Sequence, residues 1–190
     1  TKAHTEKVAN YHNAFASIYE GRYLAGITAG MKLNEMIESG KITAEQAVMG
    51  YVGAFPYAEV ISGYTSFFLG ARSVCPSVTM MVDFTGAWYS VDEERDVANS
   101  LMDKGAVLIS QHADSMGAPS ACEARNVPNV SYNGSTFEAC PESEGGGVEN
   151  VKGAVHKFCL NVSNFCRSVS GCCRTESGKL YGTGGRFLAG

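Results

Sequence analysis

Apolar residues recur at helical spacing in four stretches of the first 143 residues. This spacing predicts amphipathic helices over residues 10–31, over 58–71, from 91 to a stop at 104–105, and over 118–125. Residues 32–36 continue the first pattern. We expect the first helix to bury its large apolar side chains, namely Phe15, Ile18, Tyr19, Tyr23, Leu24 and Ile27.

Four apolar runs of strand character lie among these helices. They cover residues 47–52, 78–84, 106–110 and 127–132, and the first is a continuous apolar run, as in a strand buried on both faces. Strands that alternate with helices in this order form βαβ units, which build a parallel sheet covered by helices on both faces. The pattern therefore predicts an α/β fold.

Ligands of such sheets bind beyond the carboxyl ends of the strands, where the connecting loops converge. Four loops fall there, at residues 53–56, 85–90, 111–115 and 133–135. Phe55, Trp88 and Tyr89 offer flat apolar surfaces, and stacking surfaces with a few polar groups predict a small-molecule site that suits a base with a sugar. The polar candidates are Gln111, His112, Asp114, Ser115 and Asn133.

Several of these residues also have a structural interpretation. Phe55 could plug the end of the sheet, and Trp88 could belong to the core. Asp114 could cap the helix predicted from residue 118, although an ionised carboxylate also suits two ribose hydroxyls. His112 could be a buried histidine at a strand end, and these alternatives stay open at the level of sequence.

Composition narrows the class of protein. The formal net charge of −4 and the absence of a basic patch argue against nucleic acid as a partner. No apolar run approaches the ~20 residues of a membrane span, and the first residues lack the pattern of a signal peptide. We therefore expect a soluble chain without a nucleic-acid partner.

The sequence predicts neither a metal site nor a cofactor. The seven cysteines include no pair two residues apart, and Cys172 and Cys173 are adjacent, which is a poor geometry for one zinc ion. Phosphate-binding, dinucleotide-binding and hydrolase motifs are absent in residues 1–143. His112, Asp114 and Ser115 have the residue types of a catalytic triad, but neighbours in one turn rarely reach each other in that arrangement.

Composition changes near residue 143. Residues 1–143 hold 9 basic and 16 acidic side chains, whereas residues 144–190 hold 6 basic and 3 acidic ones together with four of the seven cysteines. We therefore divide the chain at this point. Our hypothesis for the divergent tail at 144–190 is a shift of reading frame from about Ser143, and a disordered tail is the alternative.

Four motifs, in order, resemble one known family. They are EGRYLAGITAG at 20–30, GYVGAFPYAEV at 50–60, FLGARSVCP at 68–76 and SQHADS at 110–115. The chain resembles the basic membrane protein family of ABC-transporter substrate-binding lipoproteins, and is similar to the purine-nucleoside receptor group. The resemblance covers about residues 1–143, without a counterpart to the family's first ligand-binding segment.

The resemblance implies a type I periplasmic-binding fold whose two lobes close on a ligand. Residues 1–44 would end the first lobe and approach the hinge, and residues 45–143 would form most of the second. It also implies purine nucleosides as ligands, an ABC permease and its ATPase as partners, and a lipid anchor on the extracellular face of the membrane. Phe55, Trp88 and Asp114 are the first candidate contacts by motif.

Other functions share this architecture. A ligand-sensing domain of a regulator or receptor is one, and an enzyme with Asp114 and His112 as an acid–base pair is another. A truncated fragment without function is a further alternative. Site composition and resemblance favour a non-enzymatic binding protein.

Overall fold

The computed structural model describes residues 6–12 and 16–132, and the backbone of two short strands beyond them. The elements are α1 (Ile18–Glu38), a 3₁₀ turn (Ala44–Gln46), β1 (Val48–Gly53), α2 (Ala58–Val74), β2 (Thr79–Phe84), α3 (Val91–Asp103), β3 (Leu108–His112), α4 (Gly117–Ala124), β4 (Asn129–Val130), β5 (Cys173–Arg174) and β6 (Leu180–Tyr181).

The first four strands form one parallel sheet in the order β2-β1-β3-β4. The chain passes from β1 to β2 on one side and then to β3 on the other side of β1. The carboxyl ends are in register, since Gly53 is level with both Phe84 and His112. Such a reversal of direction opens a crevice at the ends of the two strands that flank it, here β1 and β3.

Helices cover both faces of this sheet, as the sequence predicts. On one face, Met49 and Tyr51 of β1 and Leu108 of β3 share a core with α1 and α2. On the other face, Val52 and Ile109 pack with α3 and α4. Because successive strand residues point to opposite faces, both faces of β1 and β3 are buried. The α/β prediction is confirmed.

Helix α1 differs from its predicted form. It begins at Ile18 rather than at residue 10, and Phe15 lies outside the described residues. Tyr19, Tyr23 and Leu24 are largely exposed, so the prediction that α1 buries its large apolar side chains was wrong for these residues. The buried face carries mainly small residues, namely Gly21, Ala25, Gly26, Ala29 and Gly30, together with Arg22, Lys32, Leu33 and Met36.

Small residues are required on that face because α1 and α2 lie almost in backbone contact. A Cβ atom at Gly26 would fall on the carbonyl oxygen of Phe67, and one at Gly70 would fall on that of Tyr23. Glycine at both positions therefore lets the two helices share one face of the sheet. These contacts join Ile18–Glu38 to the sheet that follows, and a lobe boundary near residue 44 stays a prediction.

Candidate functional site

Backbone hydrogen bonds join the loops at the carboxyl ends of three strands. The N–H of Ala54 donates to the carbonyl of His112 over 3.1 Å, and the N–H of Gly86 donates to the carbonyl of Ala54 over 2.9 Å. The N–H of Asp114 donates to the carbonyl of Trp88 over 2.8 Å. The loops after β1, β2 and β3 thus form one continuous rim, which lies where this fold presents its ligands.

Three aromatic rings cluster on this rim. Phe55 stacks on Tyr57 with ring centroids 5.1 Å apart and an angle of 18° between the planes. Trp88 lies 5.6 Å from Phe55 and 6.1 Å from Tyr57. Phe55 is half-buried while Tyr57 and Trp88 keep 56% and 38% of their surface, so the cluster offers an open apolar face.

Tyr57 was not among the residues predicted from sequence. It follows Phe55 by two positions, across Pro56, and its ring is turned back on Phe55 by the start of α2. The signal in the sequence was the position of Tyr57, an aromatic residue directly after the loop at 53–56 that contains Phe55. Tyr89, the other aromatic residue of the predicted loops, is 68% exposed.

Asp114 occupies the rim as predicted. Its side chain is exposed, and its backbone N–H is held by Trp88. Met116 holds the N-cap position of α4, and Ser115 Oγ accepts the N–H of Gly117 over 3.1 Å. Asp114 thus lies on the rim next to Trp88 of the adjacent loop, and its ligand-binding and helix-cap roles both stay predictions.

Ser115 is buried and performs a structural task. Its backbone N–H donates to Glu94 Oε1 over 3.0 Å, and Glu94 is itself wholly buried on α3. Burial raises the pKa of Glu94 above its usual value, while hydrogen bonds from Ser115 and Ser90 lower it. Glu94 thus fixes the loop that carries Asp114, a role that the acidic first turn of α3 did not reveal in the sequence.

Gln111 and His112 were expected in the loop, and their placement there was wrong. Strand β3 runs to His112, two residues beyond its predicted end, and both side chains are fully buried. Gln111 Oε1 accepts a hydrogen bond from Asn129 Nδ2 over 2.9 Å. Polar partners on neighbouring elements let the strand continue through polar residues, which the local pattern could not show.

His112 lies beneath the rim, on the α2 face of the sheet. Its ring stacks on Tyr132 at 4.1 Å, its Nδ1 is 3.5 Å from the hydroxyl of Tyr51, and its Nε2 is 3.6 Å from Glu59 Oε1. Burial, and then the charge of Arg22, lower the pKa of His112 to about 3. His112 is therefore neutral at neutral pH.

Arg22 is the charged residue at the base of this group, and it is wholly buried. Its guanidinium donates to Ser110 Oγ, which in turn donates to the carbonyl of Val130 over 2.7 Å. The same guanidinium lies 5.3 Å and 4.9 Å from the ring centroids of Tyr51 and Phe67, a cation–π arrangement that offsets part of its desolvation. Two of its nitrogens have no hydrogen-bond partner within residues 6–12 and 16–132.

Glu59 is the second carboxylate at the rim, and the sequence reading missed it. It stands in the first turn of α2, four residues after Phe55, with 30% of its side chain exposed. Burial raises the pKa of Glu59, and the nearby charge of Asp114 raises it further. The rim therefore carries two carboxylates, Glu59 and Asp114, that are close enough for their charges to interact.

Other expectations have simpler outcomes. Asn133, the remaining candidate contact, lies outside the described residues, as does the division of the chain near 143. Within residues 6–12 and 16–132, no group of three His, Cys, Asp or Glu side chains is placed to hold a metal ion. No helix in that part of the chain is long and apolar enough to cross a membrane.

The fold defines the class of protein: an α/β domain with a parallel sheet between two layers of helices, in which the carboxyl edge of the sheet is the expected place for a ligand. The chain belongs to the Bmp family, described as PnrA-like ABC transporter substrate-binding proteins, whose model matches residues 2–142. Proteins of this family are extracellular or periplasmic, bind small ligands and work with transporter components.

Individual relatives agree with this assignment. A purine-binding protein of Brucella abortus is 30% identical over 73% of this chain and 37% of its own length. A Haloferax volcanii protein named "Putative ABC transporter glucose-binding protein" is 39% identical over 61% of this chain and 27% of its own length. The chain thus spans about a third of the length of these relatives.

A solved structure supports the fold. The solute-binding protein of an ABC transporter system from Conexibacter woesei is similar with a TM-score of 0.50 and 25% identity. The match covers 60% of this chain and 34% of that protein. The family assignment and the parallel sheet therefore rest on independent comparisons of sequence and structure.

Proposed function

We propose that this chain is the ligand-binding part of an ABC importer's substrate-binding protein and that its ligands are purine nucleosides. One observation carries the proposal. The clustered rings of Phe55, Tyr57 and Trp88 lie on the same rim as Asp114, which is joined to Trp88 through its backbone N–H. A purine ring gains apolar contact on the aromatic face, and an ionised Asp114 accepts hydrogen bonds from ribose hydroxyls.

The relatives bear on the ligand in different ways. The purine-binding protein of Brucella abortus favours a purine, and the Haloferax volcanii protein is named for glucose. Stacked aromatic rings with an adjacent carboxylate serve both flat bases and sugar rings. A purine uses more of the three-ring face that this chain presents, which is why we prefer a nucleoside.

Transport rather than chemistry is the proposed role. Residues 45–143 would form most of one lobe and residues 1–44 the approach to the hinge, with closure on the ligand against a second lobe. A permease and an ATPase would receive the ligand, and a lipid anchor would hold the full-length protein outside the cell. The enzyme alternative is disfavoured because a buried His112 with a pKa of about 3 is a poor general acid or base at neutral pH.

Fluorescence of Trp88 tests the proposal. Trp88 is the only tryptophan of the chain, so its emission reports this rim alone. We expect guanosine, inosine or adenosine to quench that emission saturably, and the Trp88→Phe variant, assayed by titration calorimetry, to retain binding. Quenching by glucose but not by nucleosides would identify the ligand as a sugar instead. Quenching by neither would reject a ligand site at Trp88.

A further inference from the structure

Glu59 is an acid without a charged partner in the described part of the chain. Its only basic neighbour there within 4 Å is His112, at 3.6 Å, and that histidine is neutral at neutral pH. Asp114, the other carboxylate of the rim, repels it. A half-buried carboxylate beside a like charge destabilises the fold, so its natural partner is a donor that arrives from outside.

A buried side chain independently points into the same place. His112 is wholly buried, and its Nε2 has no hydrogen-bond partner among the described residues while it faces Glu59 Oε1 at 3.6 Å. That distance is slightly too long for a hydrogen bond. At that distance His112 attracts the Glu59 carboxylate without forming a full hydrogen bond to it.

The position of the proton on the neutral His112 ring follows from what faces its two nitrogens. Nε2 faces Glu59 Oε1 at 3.6 Å, and an ionised carboxylate only accepts hydrogen bonds. Nδ1 faces the hydroxyl of Tyr51 at 3.5 Å, and a hydroxyl can donate. The tautomer with its proton on Nε2, directed toward Glu59, therefore suits both neighbours.

We propose that Glu59 is a second ligand-binding carboxylate, oriented by the buried His112, and that it selects 6-oxopurine nucleosides by accepting hydrogen bonds from N–H groups on the edge of the base. This inference rests on the proposed function and names the ligand class of the same site. Guanosine presents two adjacent N–H donors and inosine presents one. Adenosine presents a donor next to a ring nitrogen that only accepts, so one oxygen of Glu59 would face a lone pair.

The Glu59→Gln variant gives a sharp test because glutamine offers one acceptor and one donor, the complement of the adenine edge. Glu93→Gln is the matched control: Glu93 lies in the first turn of α3, as Glu59 does in α2, and is exposed. Binding of guanosine, inosine and adenosine to the full chain would be followed by chemical shifts of the ¹⁵N-labelled protein, including the side-chain nitrogens of His112.

We expect Glu59→Gln to weaken the binding of guanosine by at least tenfold, which corresponds to the loss of one charged hydrogen bond. The affinity for adenosine should change by less than threefold. In the wild type, guanosine should move the Nε2 resonance of His112 more than adenosine does, and Glu93→Gln should reproduce wild-type affinities. Unchanged guanosine affinity, or equal losses for guanosine and adenosine, would overturn the inference. Melting temperature establishes that each variant is folded.

The outcomes separate this inference from the proposed function. Suppose that nucleosides move the resonances of Phe55, Trp88 and Asp114 but bind wild-type and Glu59→Gln protein with equal affinity. That result would reject the role of Glu59 and leave the nucleoside site in place. The absence of any shift in those resonances with all three nucleosides would reject the nucleoside site itself, and the role of Glu59 with it.

Discussion

The backbone N–H of Asp114 donates to the carbonyl oxygen of Trp88 across 2.8 Å, and this bond joins the loop after β3 to the loop after β2. Strand β1 lies between β2 and β3, so the bond spans the crevice end of the central strand. The main chains that carry Trp88 and Asp114 are thus held next to each other. A ligand that uses both has its orientation set before it arrives.

Asp114→Asn should weaken the binding of nucleosides more than the binding of free bases. The substitution keeps the backbone bond to Trp88 and removes the charge that would accept from ribose hydroxyls, at a cost of roughly 1.5–3 kcal/mol in binding. Calorimetric titration with guanosine and guanine compares the two ligands directly. Equal losses for both would assign Asp114 a structural role instead, and unfolding in urea should show little change because the side chain is exposed.

Acid should destabilise the fold through His112. Its folded-state pKa of about 3 lies below the ordinary value of 6.5, so the unfolded chain binds a proton that the folded chain does not. The contribution of His112 is fully present above pH 6.5 and is lost as the pH falls toward 3, by about 1.4 kcal/mol per pH unit once well below 6.5. Glu59 and Glu94, whose pKa values are raised, act in the opposite direction at mildly acidic pH.

Urea unfolding at pH 7 and pH 5 measures this dependence. Between pH 7 and pH 5 the free energy of unfolding should fall by about 2 kcal/mol more in the wild type than in His112→Gln, because the two proteins share the opposing effect of Glu59 and Glu94. His12→Gln is the control, since His12 is exposed. An identical pH dependence in wild type and His112→Gln would refute the assignment.

Arg22→Met should raise the pKa of His112. Burial is the larger cause of the depressed pKa and remains, whereas the positive charge of Arg22 is the second cause and is removed. The pKa should therefore lie above 3 and below 6.5, as measured by titration of the ring carbons in NMR. Met preserves much of the apolar volume, so we expect a smaller loss of stability than the roughly 3–5 kcal/mol that truncation of a buried charged side chain can cost.

Gly26→Ala should destabilise the chain by about 1–3 kcal/mol or more, because its added methyl group meets the backbone of Phe67 rather than a movable side chain. Chemical denaturation of the variant measures the loss. Glu20→Ala on the exposed part of the same helix is expected to stay within about 0.5 kcal/mol of wild type. Comparable stabilities for the two variants would contradict the close packing of α1 on α2.

The sequence predicted the strands better than the side chains that serve the site. Strand β1 lies within one residue of its predicted bounds, because a short continuous apolar run is typical of a strand buried on both faces. His112 was misplaced because its burial depends on Tyr51 and Tyr132, far away along the chain. Glu59 was missed because an acid in a first helical turn is ordinary until its neighbours are known.

The misread face of α1 has a different cause. Hydrophobic spacing marks large side chains, and Tyr19, Tyr23 and Leu24 follow a helical pattern while remaining largely exposed. Glycines fill the opposite face because two helices must approach closely there, a requirement that comes from the α2 backbone. Patterns of residue type predict that a helix forms, and only its neighbours determine which side it buries.

The rim that joins β1, β2 and β3 is built from main-chain hydrogen bonds, so its side chains can be substituted without loss of the rim. The bonds from Ala54, Gly86 and Asp114 do not depend on which side chains those positions carry. Mutations can therefore replace rings and carboxylates on the rim one at a time while the loops keep their course. Such substitutions could change the ligand that a protein of this fold binds, with little loss of stability at each step.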